Sequence, residues 1–345
     1  MNAEQLAMTA QALVAADKGI LAADESAPTM EKRLASINVP STPENRRDWR
    51  QLLFSTPGLN ETVSGVILFD ETIRQDASDG RRLADLLTSQ GVMPGIKVDT
   101  GAKVLAGSPD EKITEGLDGL RERLNEYREL GARFTKWRAP IPIGPGLPTQ
   151  YGIDVNAHAL ARFAALSQEA GLVPIVEPEV VMDGDHDIER CFAVTQATQQ
   201  QVFEELSAQG VSLEGMLLKP NMVLSGKDAA SRAEAAAVAR ATLACFRRTV
   251  PAAVPGITFL SGGQGDQEAT VNLDAINRLA QTEGAPWQLS YSYGRGLLAT
   301  PLVAWGGDPA HVAGAQAAFQ QRTRVVSAAR QGAYDPAMEK QPAGV

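Results

Sequence analysis

Short apolar, β-branched runs return eight times along the chain, each separated from the next by a helical pattern, and this alternation constrains the fold more than any single motif. The runs cover residues 19–24, 63–69, 93–99, 134–141, 172–180, 215–222, 257–262 and 288–294. Several are apolar on both faces, as in Val63-Ser64-Gly65-Val66-Ile67-Leu68-Phe69, which suits a parallel strand covered by helices better than a half-exposed antiparallel one. Between them, apolar residues at three- and four-residue spacing predict helices. Leu117, Leu120, Leu124 and Tyr127 mark one over 114–130, with Gly131 as its C-terminal stop. Others are expected over 81–89, 154–170, 187–209, 231–249, 267–283 and 310–330, with Gly91, Gly171, Gly210 and Gly284 closing four of them. Two extra helices are expected near the N-terminus, over 3–16 and over 43–54, the second capped by Ser41 or Thr42.

Eight strand–helix units in 345 residues predict an α/β chain folded as a (β/α)8 TIM barrel with extra N-terminal helices and a C-terminal tail. A doubly wound sheet competes, but no Gly-x-Gly-x-x-Gly turn follows an early strand and no Gly-x-x-x-x-Gly-Lys-Ser/Thr phosphate loop occurs. The prolines of 139–148 read as a rigid strand-to-helix loop. One domain is expected over 1–332, and the polar, Pro/Gly-containing stretch 333–345 is expected to be mobile.

Charge and residue usage exclude several classes of function. The formal net charge is −9 with both signs interspersed, so no basic face is available for nucleic acid. No span of about twenty apolar residues is present to cross a membrane, and residues 1–17 lack the basic start and apolar stretch of a secretory signal. Cys191 and Cys245 fall in the apolar register of helices, which predicts buried reduced thiols and a cytoplasmic setting. His158, His186 and His311 are far apart, with no His-x-x-x-His or Cys-x-x-Cys pair, so neither a metal nor a cofactor is expected. Asp183-Gly184-Asp185-His186-Asp187 lacks the ligand ladder of a calcium loop and reads as an acidic helix cap. The four tryptophans read as packing residues.

In a barrel of this kind the C-terminal strand ends converge on one mouth. There the sequence places Asp24, then Lys97 and Asp99, Lys136 and Arg138, Glu177 and Glu179, and finally Lys219, which closes the apolar segment Gly215-Met216-Leu217-Leu218. An amine in a low-dielectric pocket beside other cations becomes available as a nucleophile toward a carbonyl. A structural ion-pair network at the rim accounts for any one pair. For the whole set, Schiff-base chemistry with carboxylates as proton carriers gives the fuller account. The last two strands run into Ser261-Gly262-Gly263-Gln264-Gly265 and Ser292-Tyr293-Gly294-Arg295-Gly296, turns with the glycines, hydroxyl and guanidinium that suit a phosphate.

With these segments, and with Gly19-Ile20-Leu21-Ala22-Ala23-Asp24-Glu25-Ser26, Lys136-Trp137-Arg138, Val176-Glu177-Pro178-Glu179 and Leu218-Lys219-Pro220-Asn221-Met222, the chain resembles class I fructose-bisphosphate aldolase over about residues 19–296. The resemblance implies a metal-independent, cofactor-free homotetrameric lyase that cleaves fructose 1,6-bisphosphate reversibly to dihydroxyacetone phosphate and glyceraldehyde 3-phosphate. It implies Lys219 as the Schiff-base lysine, Glu177 as acid and base, Asp24 in carbon–carbon cleavage, and Lys136 and Glu179 in electrostatic support. It implies Ser261, Gly262, Gly294 and Arg295 at the C1-phosphate, with Ser26, Lys97 and Arg138 toward the C6-phosphate.

Two departures from the family pattern stand out. Ala27-Pro28-Thr29 replaces the usual Thr-Gly-Ser, which is expected to reshape a loop and so favours a related phosphorylated sugar as the alternative substrate. The chain ends Gln341-Pro342-Ala343-Gly344-Val345 without the tyrosine that exchanges the enamine proton in relatives. A non-catalytic binding protein on the same fold is the reading from a different class.

Overall fold

A computed structural model describes residues 3–340. In chain order the elements are α1 (Ala3–Leu13), β1 (Gly19–Ala23), α2 (Ala27–Ala35), α3 (Pro43–Phe54), β2 (Val63–Leu68), α4 (Asp70–Arg74), α5 (Leu83–Ser89) and β3 (Met93–Lys97). Next come β4 (Gly101–Leu105), β5 (Ser108–Glu115), α6 (Leu120–Glu129), β6 (Phe134–Ile141), α7 (Gln150–Glu169), β7 (Val173–Val180), α8 (Ile188–Ala208) and β8 (Leu217–Leu218). The remainder is α9 (Ala235–Thr249), β9 (Gly256–Phe259), α10 (Asp266–Glu283), β10 (Gln288–Tyr293), α11 (Arg295–Trp305) and α12 (Val312–Arg330).

Eight strands close in the order β1-β10-β9-β8-β7-β6-β3-β2, every pair parallel. All eight expected runs contribute one strand each, and the predicted (β/α)8 barrel is the fold observed. Their two-sided apolar character follows from burial on both faces, complete along β1, β2, β7 and β9. Inside the barrel floor, Leu6, Ala10 and Leu13 from α1 and Val14 just after it pack against Phe134, Ile175 and Leu217, so the first helix acts as a plug. Gly95 makes room for the inward Phe134, since a Cβ there would lie 2.3 Å from the ring. Trp49 stacks on Trp305 and Trp137 on Phe163, the packing roles expected of the tryptophans.

Helix starts follow local chemistry. Thr42, not Ser41, caps α3 by accepting from the Asn45 amide at 3.1 Å. Asp187 caps α8 through the Arg190 amide at 2.8 Å, as the acidic turn predicts. Both cysteines are free and buried, and burial pushes the Cys191 thiol up to about 11 and the Cys245 thiol up to about 12. No helix among the described residues is long and apolar enough to cross a membrane.

The structure corrects five expectations. The helix predicted over 114–130 begins only at Leu120, because β4 and β5 form an antiparallel hairpin that takes up residues as far as Glu115. The strand predicted over 215–222 pairs only at Leu217–Leu218; Pro220 has no amide to donate, and the Asn221 side chain takes the Val180 amide at 3.0 Å instead. Ala27-Pro28-Thr29 is not a loop but the first turn of α2, where proline's missing N–H costs nothing. Residues 139–141 of the proline-rich stretch belong to β6, not to a loop. From the tail expected to be mobile, Tyr334 is buried at 6% exposure and Pro336–Lys340 forms a 3-10 helix; residues 341–345 lie outside the described part.

Candidate active site

At the C-terminal mouth of the barrel a cleft of about 510 Å³ opens between the ends of β1, β3, β6, β7, β8 and β10. Adjacent strands stagger its charged residues: Lys97 pairs in register with Lys136, and Arg138 with Glu177. Lys219 directly follows β8, its amide bonded to the Val176 carbonyl at 2.8 Å, which fixes where its side chain emerges.

Four of these side chains form a continuous ionic chain across the mouth. Lys219 Nζ lies 3.2 Å from Glu177 Oε1; Glu177 Oε2 lies 3.4 Å from Lys136 Nζ; Lys136 Nζ lies 2.6 Å from Asp24 Oδ2. Lys219 and Lys136 are each 4% exposed and Glu177 3%, so their mutual attraction acts in a weakly screened setting. Burial alone raises a carboxyl, but the Lys136 and Lys219 amines outweigh it and hold Asp24 well below the usual carboxylate range. Burial likewise acts to raise Glu177, and Lys219 and Lys136 overcome it to hold that carboxyl down. Burial acts to lower Lys136, yet Asp24 and Glu177 keep its amine raised and charged. Two ionised carboxylates therefore share the mouth with Lys219, and one of them, Glu177, contacts its amine directly.

The rest of the set divides into what lines the cleft and what lies beside it. Ser26, Lys97, Arg138, Gly294 and Arg295 line the same cleft as Asp24, Lys136, Glu177 and Lys219. Lys97 is held by Asp99 at 3.3 Å and lies over the Phe69 ring. Glu179, Ser261 and Gly262 are outside this lining. Glu179 pairs with Arg138 and not with Lys219, and a Cβ on Gly262 would lie 2.9 Å from its carboxylate. Ser261 is 8% exposed and sits under the β10–α11 turn, with its Oγ 3.3 Å from where a Gly296 Cβ would be.

Sequence reasoning missed Arg33, which also lines the cleft from α2. The signal was present: Ser26 precedes Ala27-Pro28, with Met30 and Leu34 four residues apart on the buried face. It also missed the hairpin, whose Gly101 and Ala102 close one side. Six basic and four acidic side chains line the cleft, so in a chain of net charge −9 this mouth is a local positive well suited to an anionic ligand. Among the described residues no group of three His, Cys, Asp or Glu is placed to hold a metal ion.

Known proteins share this sequence and shape. The family model described as fructose-bisphosphate aldolase class-I matches residues 5–344. A probable fructose-bisphosphate aldolase class 1 of Xanthomonas axonopodis is 54% identical over 308 residues, covering 89% of this chain and 91% of that protein. The cytosolic fructose-bisphosphate aldolase 6 of Arabidopsis thaliana is 52% identical over 332 residues, covering 96% and 92%. The solved fructose-bisphosphate aldolase of Plasmodium falciparum superposes with a TM-score of 0.94 at 48% identity, covering 96% of this chain and 95% of that one.

Proposed function

The chain belongs to the class I fructose-bisphosphate aldolase family, and from that premise we propose that its reaction runs through a Schiff base on Lys219. It is a carbon–carbon lyase of glycolysis that cleaves fructose 1,6-bisphosphate reversibly to dihydroxyacetone phosphate and glyceraldehyde 3-phosphate. The observation that carries the residue assignment is the ionic chain from Lys219 through Glu177 and Lys136 to Asp24.

In the proposed sequence Glu177 takes a proton from Lys219, and the freed amine adds to the C2 carbonyl. Glu177 returns that proton to the carbinolamine hydroxyl, which leaves as water and gives the iminium. Asp24, held ionised by Lys136, takes the proton of the C4 hydroxyl. The C3–C4 bond breaks, glyceraldehyde 3-phosphate departs, and the electron pair passes into the iminium to leave a neutral enamine. Protonation at C3 and hydrolysis release dihydroxyacetone phosphate and restore the lysine.

Ser261, Gly262, Gly294 and Arg295 are assigned to the C1-phosphate, and Ser26, Lys97 and Arg138 to the C6-phosphate. Glu179 acts through Arg138, orienting its guanidinium. The alternative of a related sugar loses its motive, because Pro28 fits the first turn of α2 without reshaping a loop. We assign residues 1–332 to one functional barrel that assembles as a homotetramer in the cytoplasm, a reading supported by family membership and by the cytosolic relatives. Light scattering reads the assembly directly.

The test is Lys219→Met, which preserves much of the side chain's bulk and removes the nucleophile. Cleavage is expected to vanish while fructose 1,6-bisphosphate still binds; turnover near that of the parent protein would refute the assignment. Because the iminium serves as electron sink, cleavage by the unmodified protein is expected to survive a chelator, and reversible loss on chelation would contradict it.

A further inference from the structure

The two turns assigned to the C1-phosphate share an anchor behind them, in addition to the direct bond from Arg295 to the Gln264 carbonyl at 3.4 Å. Arg322, on α12, is 6% exposed, and its guanidinium reaches three separate parts of the chain. Nε donates to the Gly296 carbonyl at 3.3 Å, in the turn that carries Gly294 and Arg295. Nη2 donates to Thr270 Oγ1 at 3.0 Å and to the Asp266 carbonyl at 3.5 Å, both in the opening turns of α10, directly after Ser261-Gly262-Gly263-Gln264-Gly265. Nη1 donates to both oxygens of Glu339, at 3.0 and 2.9 Å.

Glu339 belongs to the 3-10 helix Pro336–Lys340 near the end of the described chain. That segment is docked, not loose. The buried Tyr334 donates its amide to Asp274 at 2.9 Å and its hydroxyl to Glu339 at 3.3 Å, while Arg278 donates to the Tyr334 carbonyl at 3.1 Å. A buried guanidinium that loses its carboxylate is left undercompensated and moves toward other acceptors or water. Here such a move would release two backbone anchors on opposite sides of the proposed phosphate site. Little slack absorbs it, given how closely Gly296 approaches Ser261.

We propose that Arg322 and Glu339 are positioning residues for the phosphate turns: Glu339 holds Arg322, and Arg322 sets the spacing of Ser261-Gly262 against Gly294-Arg295. The proposal rests on the assignment of those turns to the C1-phosphate. It makes a docked C-terminal segment part of substrate affinity, with no contact between that segment and the substrate.

The experiment is steady-state kinetics on fructose 1,6-bisphosphate with Glu339→Gln, Glu339→Asp and Thr270→Val, together with Arg295→Ala as a control on the phosphate assignment. Glu339→Gln is expected to raise KM on the order of fivefold or more, with kcat nearly unchanged. Glu339→Asp should recover most of the loss. Should Glu339→Gln not fold, Thr270→Val removes one strand of the same anchor with little change in shape and should raise KM in the same sense. A fall in kcat at constant KM would mean only a loss of folded molecules and would overturn the proposal. If Arg295→Ala raises KM and the Glu339 and Thr270 variants do not, the positioning role alone fails. If Arg295→Ala leaves KM unchanged, the phosphate assignment fails and takes the positioning role with it.

Discussion

Glu177 meets Lys219 carboxylate to amine, Oε1 to Nζ at 3.2 Å, at the mouth of the barrel. Its other oxygen faces Lys136 at 3.4 Å, so one carboxylate stands between two ammonium groups and is kept ionised by both. That placement lets it carry a proton away from one amine without leaving the site electrically unbalanced. Glu177→Gln keeps the shape and removes the proton carrier. The variant is expected to lose about 10²- to 10⁴-fold in kcat with KM little changed, as measured by steady-state assay on protein of native circular dichroism. A kcat within the range of the parent would remove Glu177 from the proton path.

The same ion pairs fix the sign of the acid response. Asp24 and Glu177 have ordinary values of 3.8 and 4.5 and are both depressed in the folded state. Below the ordinary values the unfolded chain binds protons that the folded chain still refuses, so stability falls as pH drops. It is fully present above the ordinary range. Urea midpoints measured between pH 6 and pH 3 are expected to hold level and then decline, with a shallower decline in Asp24→Asn. Midpoints that rise on acidification would contradict the ion-pair assignment.

The assignment of Lys97 to the C6-phosphate is open to a substrate comparison. It approaches the cleft beside Asp99 and over Phe69, at the end assigned to the C6-phosphate. A charged hydrogen bond is worth about 1.5–3 kcal/mol, which is on the order of tenfold or more in an equilibrium. Lys97→Met is therefore expected to lower kcat/KM for fructose 1,6-bisphosphate by about that factor and to leave fructose 1-phosphate nearly unaffected. Equal losses on both substrates would move Lys97 out of the C6-phosphate site.

The barrel was legible because its strands are buried on both faces, a condition that forces continuous apolar runs and leaves little room for another assignment. The charged residues at those strand ends were legible for a related reason: a lysine or glutamate closing an apolar strand sits where burial is costly unless a partner is at hand. Polar elements were harder to read. The hairpin Gly101–Leu105 and Ser108–Glu115 is largely solvent-facing and carries lysine, aspartate and glutamate, so no apolar alternation marks it. It is held by contacts remote in sequence: Glu111 accepts from the Thr149 amide at 2.9 Å and Thr114 donates to the Arg138 carbonyl at 2.7 Å. Leu117 places the following helix too far upstream, although Gly119, with φ 64, is the N-cap of a helix that begins at Leu120. Glu339 escaped notice because a polar segment with proline and glycine looks mobile until its ion pair with the buried Arg322 of α12 is seen.

The central claim is that Lys219 forms the covalent link to substrate, and borohydride reduction during turnover with fructose 1,6-bisphosphate, followed by peptide mass spectrometry, tests it most directly. A stable adduct of the mass of reduced dihydroxyacetone phosphate on the peptide containing Lys219, with loss of activity in proportion to labelling, is the result expected. An unmodified Lys219 in protein inactivated by the treatment, or an adduct on Lys136 or Lys97 in its place, would contradict it.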